Sequence, residues 1–290
     1  MGVGQVVRFH GGFYYVMLQE SGEIQECFCR GRLIKKRLLV GDYVVTREAA
    51  AGKCTIEEVL PRRTELIRPP VANVDQSIIV FALQDPKPNF QLLDRFLLIS
   101  AAASIEPVIC FNKTDLVSAA AYSKQIDAYN GAGYRILVTS AKTGEGLEGF
   151  RVALIRRVTV VAGPSGVGKS TLLNAILPGL KLKTGEISKK TGKGRHITRL
   201  VELLPLQDGG AVVDTPGFTQ LNLPVLTAAM LANCFPEISQ LSGECRFNDC
   251  LHKSEPDCAV RKAVDEGRIA AFRYRHYQNF LAEILEKERR

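Results

Sequence analysis

A glycine-rich loop near the middle of the chain constrains the fold more than any other feature. Residues 163–170 read GPSGVGKS, which fits the pattern G-x-x-x-x-G-K-[ST] at every required position. The apolar run Val158 to Ala162 precedes the loop and reads as a strand, and Thr171 to Leu177 reads as a helix. In this context, backbone N–H groups and the positive end of the helix dipole surround an anion. The pattern therefore predicts a loop that holds the phosphates of a nucleotide.

The residues of this loop have separate expected roles. Lys169 is expected to reach the β- and γ-phosphates as a catalytic residue, and Ser170 is expected to ligate the Mg²⁺ that accompanies them. The loop pattern does not indicate which base the bound nucleotide carries, because ATPases and nucleotide kinases have the same pattern. The residues predicted to contact the nucleotide here are Gly163, Pro164, Ser165, Gly166, Val167, Gly168, Lys169, Ser170 and Thr171.

Two shorter motifs, each after a strand-like run, indicate guanine as the base. They are N-K-x-D at Asn112, Lys113, Thr114 and Asp115, and S-A-K at Ser140, Ala141 and Lys142. The Asp115 carboxylate can accept hydrogen bonds from N1–H and N2–H₂ of guanine, whereas adenine offers no such pair of donors. Two charge-assisted bonds of about 1.5–3 kcal/mol each allow roughly a 10²- to 10⁴-fold preference. The nucleotide is therefore predicted to be GTP or GDP.

The order of the motifs predicts an unusual connectivity. Asp214 to Gly217 reads D-x-x-G, in which Asp214 is expected to hold Mg²⁺ through water and Gly217 to sense the γ-phosphate, both as catalytic residues. N-K-x-D and S-A-K precede the phosphate loop, and D-x-x-G follows it. Strand neighbours are fixed by packing, so a sheet tolerates a different placement of the termini. We predict an α/β fold that contains a circularly permuted P-loop GTPase domain, with strands and helices alternating as in a doubly wound sheet.

The basic segment 181–199 occupies the place of switch I. Thr198 is the first choice for the hydroxyl that coordinates Mg²⁺ with GTP, and Thr191 is the second. Phe218 stands where a water-orienting Gln is found in Ras-like proteins, and its side chain cannot position water. Slow intrinsic hydrolysis is therefore expected unless another group, with His196 as the candidate, is brought in by a partner.

The segment 1–66 is predicted to form a small β-barrel of the OB or SH3 kind, because five short strand-like runs are separated by glycine-containing turns. A basic run at 30–37 and four aromatic residues suit nucleic-acid contact. The alternative is a solvated basic loop and aromatic residues that belong to the core. The aromatic residues are Phe13, Tyr14, Tyr15 and Phe28, and the cysteines Cys27, Cys29 and Cys54 are expected to be thiols.

The C-terminal region, 223–290, is predicted to be mostly helical and to bind one structural zinc ion. A compact loop offers three thiolates and one imidazole, from Cys245, Cys250, Cys258 and His252. Four such ligands complete a closed tetrahedral zinc site. Beyond them the tail mixes cations and rings, which suits either RNA or a solvated amphipathic helix. These residues are Arg261, Lys262, Arg268, Arg273, Tyr274, Arg275, His276 and Tyr277.

Charge and hydropathy narrow the class of partner. The net charge of +8 and the pI near 9.1 favour a polyanionic partner such as nucleic acid, and the alternative is a solvated positive surface. No apolar stretch approaches the length that a membrane-spanning helix needs, and the start of the chain, Met1 to Leu18, lacks the basic-then-apolar layout of a signal peptide. We therefore expect a cytoplasmic protein with no membrane contact, whose cysteines are thiols or metal ligands.

Taken together, these motifs resemble the RsgA (YjeQ/YloQ) family of ribosome small-subunit-dependent GTPases. The resemblance rests on NKTD, SAK, GPSGVGKST, the segment 194–199, DTPGF and the zinc loop, with Ile197 standing where the family commonly has Thr. It implies three parts: an OB-type barrel at 1–66, the permuted GTPase at 67–222 and the zinc region at 223–290. It also implies a monomer that binds the 30S subunit and its 16S rRNA late in maturation, with GTP hydrolysis stimulated by the subunit.

Two other functions are compatible with part of the sequence. The first is a GTP-gated RNA-binding or scaffolding module whose hydrolysis is incidental. The second is a nucleotide kinase, which would need neither N-K-x-D nor the zinc loop. Turnover with and without ribosomal subunits separates these functions.

Overall fold

The structure is a computed structural model that describes residues 2–29, 37–48, 54–67, 69–177, 201–214, 223 and 226–289. These residues fall into two compact units. The first takes its residues from 1–78, 147–165 and 169–220, and the second from 79–146, 166–168 and 221–290. The units do not follow the three predicted domains, because the second one combines the N-K-x-D region with the zinc region. The domain boundaries stay a prediction.

Five strands of the first unit close into the N-terminal barrel. They are β1 (Gly2–His10), β2 (Phe13–Leu18), β3 (Ile24–Cys29), β4 (Tyr43–Glu48) and β5 (Cys54–Val59). Neighbours pair in the order β1-β2-β3-β5-β4, and β4 returns to pair with β1. All pairs are antiparallel except β3 with β5. A small apolar core with Val6, Val16, Val44 and Ile56 fills the inside, which confirms the predicted OB-type barrel.

Two of the barrel cysteines correct a prediction. Cys27 on β3 and Cys54 on β5 are direct partners in the parallel register, and they form a disulfide. The sequence predicted thiols, because the two residues lie 27 positions apart and nothing near either one indicates its partner. Strand register, which is a tertiary property, brings them together; Cys29 keeps its thiol.

The rest of the first unit contains the strands and helices that flank the glycine-rich loop. A hairpin of β6 (Glu65–Ile67) and β7 (Pro70–Ala72) follows the barrel. Strand β11 (Val158–Ala162) pairs in parallel with β13 (Ala211–Asp214), and β12 (Glu202–Pro205) is antiparallel to β13. Helix α3 (Leu147–Leu154) precedes β11, and α4 (Lys169–Ile176) follows it. Strand β11 is wholly buried, as the apolar run predicted.

The second unit begins inside β8 (Gln76–Ala82), a strand buried along its whole length. Helix α1 (Phe90–Ala102) follows, and the Asn89 side chain caps it by accepting from Leu92 N–H. Strand β9 (Glu106–Asn112) and strand β10 (Arg135–Val138) are parallel neighbours, with a short 3₁₀ turn (Ala119–Tyr122) and α2 (Ser123–Gly131) between them. The predicted alternation of strands and helices is confirmed.

The C-terminal region of the second unit is helical. Its helices are α5 (Ala228–Leu231), a 3₁₀ turn (Ala232–Cys234), α6 (Pro236–Ser242), α7 (Ala259–Asp265) and α8 (Ala271–Glu288). Their core, which includes Phe235, Val260, Tyr277 and Phe280, also contains Leu98 of α1. No helix in the described ranges is long and apolar enough to cross a membrane.

A buried ion network joins α1 to the C-terminal helices. The side chain of Arg273 is 2% exposed, and its guanidinium donates to Asp94 on α1 and to Glu237 on α6. Asp94 also accepts from Tyr129 at 2.7 Å and pairs with His276 at 2.5 Å. Burial opposes the charge, but Asp94 and Glu237 raise the pKa of Arg273 above its usual value. The sequence left Arg273, His276 and Tyr277 open between contact with RNA and a solvated amphipathic helix. The burial of Arg273 and Tyr277 shows that these two residues support the fold.

We expect Arg273→Met to destabilise the protein by about 3–5 kcal/mol, because it leaves the Asp94 and Glu237 carboxylates buried beside each other without their cation. The matched control is Arg275→Met on the exposed face of the same helix, which should change stability by less than about 0.5 kcal/mol. Urea unfolding followed by circular dichroism measures both. Equal, small effects of the two substitutions would contradict the assigned role of the network.

Candidate nucleotide-binding and metal sites

The phosphate loop lies between the end of β11 at Ala162 and the start of α4 at Lys169. Gly166 and Gly168 have positive φ angles of 78° and 97°, which let successive N–H groups turn toward the inside of the loop. A Cβ atom on Gly168 would lie only 2.4 Å from Nδ2 of Asn112. Glycine is therefore required at this position both by its backbone conformation and by the close approach of the guanine motif.

Lys169 is folded onto its own loop. Its Nζ donates to the carbonyl oxygens of Gly163 at 2.8 Å and Pro164 at 2.6 Å. Burial lowers the pKa of this ammonium to about 8. A triphosphate in the loop would offer negative charge to the same ammonium. Lys169, Ser170 and Thr171 form the first turn of α4. Their contacts with the phosphates and Mg²⁺ stay predictions.

Asn112, the first residue of N-K-x-D, has a buried side-chain amide. Its Oδ1 accepts from the Ala141 N–H at 3.2 Å and from the Thr139 hydroxyl at 3.1 Å. Its Nδ2 donates to the Val167 carbonyl at 2.9 Å. One buried amide therefore connects N-K-x-D, the S-A-K loop and the phosphate loop, three motifs that are far apart in the sequence.

The neighbours of Asp115 fix the direction of its carboxylate. The Ser140 hydroxyl donates to Oδ1 at 2.7 Å, and Lys142 Nζ lies 3.9 Å from Oδ2. The Ser140 oxygen in turn accepts from the Thr143 N–H at 3.2 Å. The side chain of Asp115 is 12% exposed. The carboxylate is thus oriented by the S-A-K loop, and its role in reading guanine stays a prediction.

The two central residues of N-K-x-D form hydrogen bonds to neighbouring loops. Lys113 has a positive φ of 67°, and its Nζ donates to the Asp85 carbonyl. The Thr114 hydroxyl has two acceptors within reach of its one hydrogen: Oε2 of Glu145 at 2.8 Å and the Thr139 carbonyl oxygen at 3.2 Å. Sequence patterns name Lys113 and Thr114 but not the partners that hold them, because Asp85, Thr139 and Glu145 belong to other loops.

The switch residues are the part of the site that the structure covers least. Asp214 is the last residue of β13. The remaining predicted residues, Thr191, His196, Thr198, Gly217 and Phe218, lie outside the described residues. Their roles stay predictions.

The four predicted metal ligands come together in the C-terminal region. Ligand atoms of Cys245, Cys250, His252 and Cys258 all lie within 4.8 Å of one another. Nδ1 of His252 is 3.5 Å from Sγ of both Cys245 and Cys258, and these two sulfur atoms are 3.9 Å apart. Tetrahedral zinc with ordinary bond lengths requires about 3.6 Å between nitrogen and sulfur and about 3.8 Å between sulfurs. The donor set fits a zinc ion.

Residues around the cluster orient its ligands. Nε2 of His252 is 3.1 Å from the Ser242 hydroxyl, which leaves Nδ1 for the metal. Glu255 accepts from the backbone N–H groups of Leu251, Lys253 and Ser254. Burial works against its charge, but these hydrogen bonds lower the pKa of Glu255 to about 2. Sequence reasoning missed Ser242 and Glu255, although a carboxylate inside a loop of cysteine and histidine ligands is a usable signal for a loop-stabilising acceptor.

The predicted aromatic residues of the barrel make close ring and cation contacts, and Tyr14 packs against the barrel core. The rings of Phe13 and Phe28 are 4.8 Å apart, and Phe28 is 37% exposed. The ring of Tyr14 is 4.7 Å from that of Phe9. Arg8 lies over the ring of Tyr15 at 4.2 Å. Of the basic run, 30–36 lies outside the described residues.

Comparisons with known proteins agree along the whole chain. Residues 59–224 match the RsgA GTPase family and residues 3–56 match the RsgA N-terminal domain family. The small ribosomal subunit biogenesis GTPase RsgA of Moorella thermoacetica is 50% identical over 288 residues, which cover 99% of this chain and 98% of that protein. Its counterpart from Bacillus velezensis is 44% identical and covers 99% of both chains.

Two solved structures are similar in fold as well as in sequence. The crystal structure of YjeQ from Thermotoga maritima matches with a TM-score of 0.86 at 38% identity, covering 98% of each chain. That of YloQ, described as a circularly permuted GTPase, matches with a TM-score of 0.84 at 38% identity, covering 99% of this chain and 96% of that one. The permuted order of the motifs and their convergence on Asn112 have the same explanation: the chain belongs to the RsgA family of circularly permuted GTPases.

Proposed function

We propose that this protein hydrolyses GTP to GDP and phosphate while bound to the small ribosomal subunit, and that it acts in the biogenesis of that subunit. The observation that carries the nucleotide part is the Asn112 amide, which holds both guanine motifs against the phosphate loop. The relatives named as small ribosomal subunit biogenesis GTPases support the second part. The 30S subunit, its 16S rRNA, a monomeric state and a cytoplasmic location belong to the same proposal.

The residues of the site have distinct tasks in this reaction. The Asp115 carboxylate selects guanine, and the loop N–H groups from Gly163 to Ser170 hold the phosphates. Lys169 moves its ammonium from the carbonyls of Gly163 and Pro164 to the β- and γ-phosphates, where charge increases during transfer. Ser170, and Asp214 through water, would hold the magnesium ion that accompanies GTP, which would neutralise part of the phosphate charge.

The group that orients the attacking water becomes available only in the complex with the small subunit. Phe218 offers no group that can orient a water molecule, so the free protein is slow. Thr198, with Thr191 as the alternative, ligates Mg²⁺ in the triphosphate state. Gly217 senses the γ-phosphate, and His196 or rRNA supplies the missing polar group when the subunit is bound.

The metal is proposed to be one structural zinc ion. Four protein ligands close the tetrahedral site and leave no position for a substrate, so the ion stabilises the fold rather than taking part in hydrolysis.

Freshly purified protein is expected to contain about one Zn²⁺ per chain. Cys250→Ser and His252→Ala should each lower the stability of the C-terminal region more than that of the nucleotide site, because structural zinc contributes directly to folding. Metal analysis gives the zinc content, and limited proteolysis with and without GDP compares the two regions. Cys234→Ser, which changes a cysteine outside the cluster, is the control for zinc content. Protein purified without chelators that holds no zinc would contradict the assignment.

Binding to 30S subunits tests the ribosomal part of the proposal. We expect tighter binding with a non-hydrolysable GTP analogue than with GDP, because the γ-phosphate orders the switch residues. The affinity should also fall steeply as salt increases, since contacts between rRNA phosphates and Lys or Arg release counterions. Sedimentation with purified subunits measures both effects. Equal binding in the two nucleotide states would show that the nucleotide does not control the association.

A further inference from the structure

A cleft in the second unit contains none of the residues that the proposed reaction uses. It is formed by the start of α1, by α2 and by the first turns of α8, and its volume is about 530 Å³. Two phenylalanines, three side-chain amides and one histidine line it. They are Phe90, Phe272, Asn89, Gln91, Gln125 and His276.

The two phenylalanines of the cleft belong to a larger cluster of rings. The ring of Phe272 lies 6.2 Å from that of Phe90 and 5.9 Å from that of Tyr129. Tyr129 is fully buried, whereas Phe90 and Phe272 are half-buried and border the cleft. A ring that is packed against other rings and also borders a cleft can stack with a planar group, because stacking needs one accessible face.

The polar groups of the cleft have hydrogen-bonding capacity for a ligand. Oδ1 of Asn89 accepts from the Leu92 N–H at 3.0 Å, so Nδ2 is the end of this amide that can donate to a ligand. Nδ1 of His276 lies 2.5 Å from the Asp94 carboxylate, which leaves Nε2 for the same purpose. Gln125 adds both a donor and an acceptor from α2. Rings beside amide and imidazole groups match a nucleobase, which has a flat π-face and a polar edge.

Exposed cations adjoin the residues that line the cleft. Lys87, Lys124 and Arg275 are each next in sequence to a lining residue, and all three are exposed. The chain as a whole has a net charge of +8. A ligand that combines a flat polar ring with negative charge on either side of it is a nucleotide within a strand of RNA, so RNA fits this cleft better than a protein segment does.

We propose that the cleft holds one unpaired base of ribosomal RNA, stacked on Phe272 and hydrogen-bonded at its edge by the Asn89 amide. The proposal rests on the proposed function, because it names a contact with the RNA of the small subunit. The phosphates that flank the base meet the exposed cations. Stacking releases no counterions, whereas a phosphate contact does, so the base adds a part of the affinity that does not depend on salt.

The test is the affinity of full-length variants for 30S subunits, measured by sedimentation with a non-hydrolysable GTP analogue at several salt concentrations. Phe272→Leu keeps an apolar side chain and removes the ring. It should weaken binding by roughly 5- to 100-fold and leave the slope of log K against log salt unchanged. Asn89→Ser should weaken binding by roughly 2- to 10-fold, while its hydroxyl still caps α1. Arg275→Gln should instead reduce the salt slope by about 1.

The matched control is Phe96→Leu. Phe96 is a buried phenylalanine on α1 whose ring lies 6.0 Å from that of Phe81, so this substitution removes a ring from the same helix within the core. It should lower the melting temperature and leave the affinity for 30S subunits within about twofold. The proposal is overturned if Phe96→Leu weakens binding as much as Phe272→Leu does, or if folded Phe272→Leu and Asn89→Ser bind with the original affinity. If Phe272→Leu does not fold, Asn89→Ser and Gln125→Ala give the same decision.

Ultraviolet cross-linking of the complex with 30S subunits identifies the class of partner. The proposal predicts a nucleotide attached to the peptide that contains Phe272, and a ribosomal protein attached there instead would overturn it. The unchanged protein separates this inference from the proposed function. If it does not bind 30S subunits at all, the proposed function is wrong. If it binds and the cleft variants bind equally well, only the base-binding cleft is wrong.

Discussion

Asp115→Asn is expected to reduce the affinity for GTP by roughly 10²- to 10⁴-fold and to improve binding of xanthosine triphosphate relative to GTP. The carboxylate of Asp115 accepts two hydrogen bonds from guanine, and an amide cannot replace both. In the variant, Oδ1 can still accept from the Ser140 hydroxyl, which lies 2.7 Å from the carboxylate in the unchanged protein. Nδ2 would then face the base and donate to the extra carbonyl of xanthine.

Competition of unlabelled nucleotides against a fluorescent GDP analogue measures both affinities. The control is Asp127→Asn, which removes an exposed carboxylate from α2 and should change neither affinity by more than about twofold. Equal losses for GTP and xanthosine triphosphate in Asp115→Asn would show that Asp115 does not read the base.

Much of the site could be predicted because its chemistry is local. The phosphate loop and the zinc ligands each lie within a short stretch of chain, so residue types and spacing carry the information. N-K-x-D and S-A-K follow strands β9 and β10, which are parallel neighbours. Open α/β sheets bind ligands beyond the carboxyl ends of their strands, and this rule predicts both motifs at the nucleotide.

The features that sequence reasoning missed depend on contacts between distant segments. Cys110 and Thr139 are ordinary residues until the pairing of β9 with β10 brings them together behind Asn112. The same holds for Cys27 and Cys54, whose disulfide follows from a parallel register. No periodicity or spacing in a single sequence contains that register.

Arg273 shows the same limit in the C-terminal helix. Its sequence neighbours include exposed cations, so the sequence does not distinguish it from them. Its buried ion pair with Asp94 on α1 is visible only in the structure. The pair is separated by 179 positions. A charge count can thus predict a basic surface, but it cannot tell which cation supports the fold and which one faces solvent.

The free protein is expected to turn over GTP at a Ras-like intrinsic rate of about 10⁻⁴ s⁻¹, because Phe218 cannot orient the attacking water. Purified 30S subunits should raise kcat by at least about 100-fold, since a group supplied in a complex can add several orders of magnitude to such a reaction. Lys169→Ala should remove the stimulated activity, because the phosphates would lose their ammonium partner.

The measurement that tests the central claim is the release of phosphate from GTP by the full-length protein, with and without 30S subunits, in the same buffer. The account predicts slow release from the protein alone, a large increase when 30S subunits are added, and no increase with 50S subunits or with the Lys169→Ala protein. Rapid hydrolysis by the free protein, or a rate that 30S subunits leave unchanged, would contradict it.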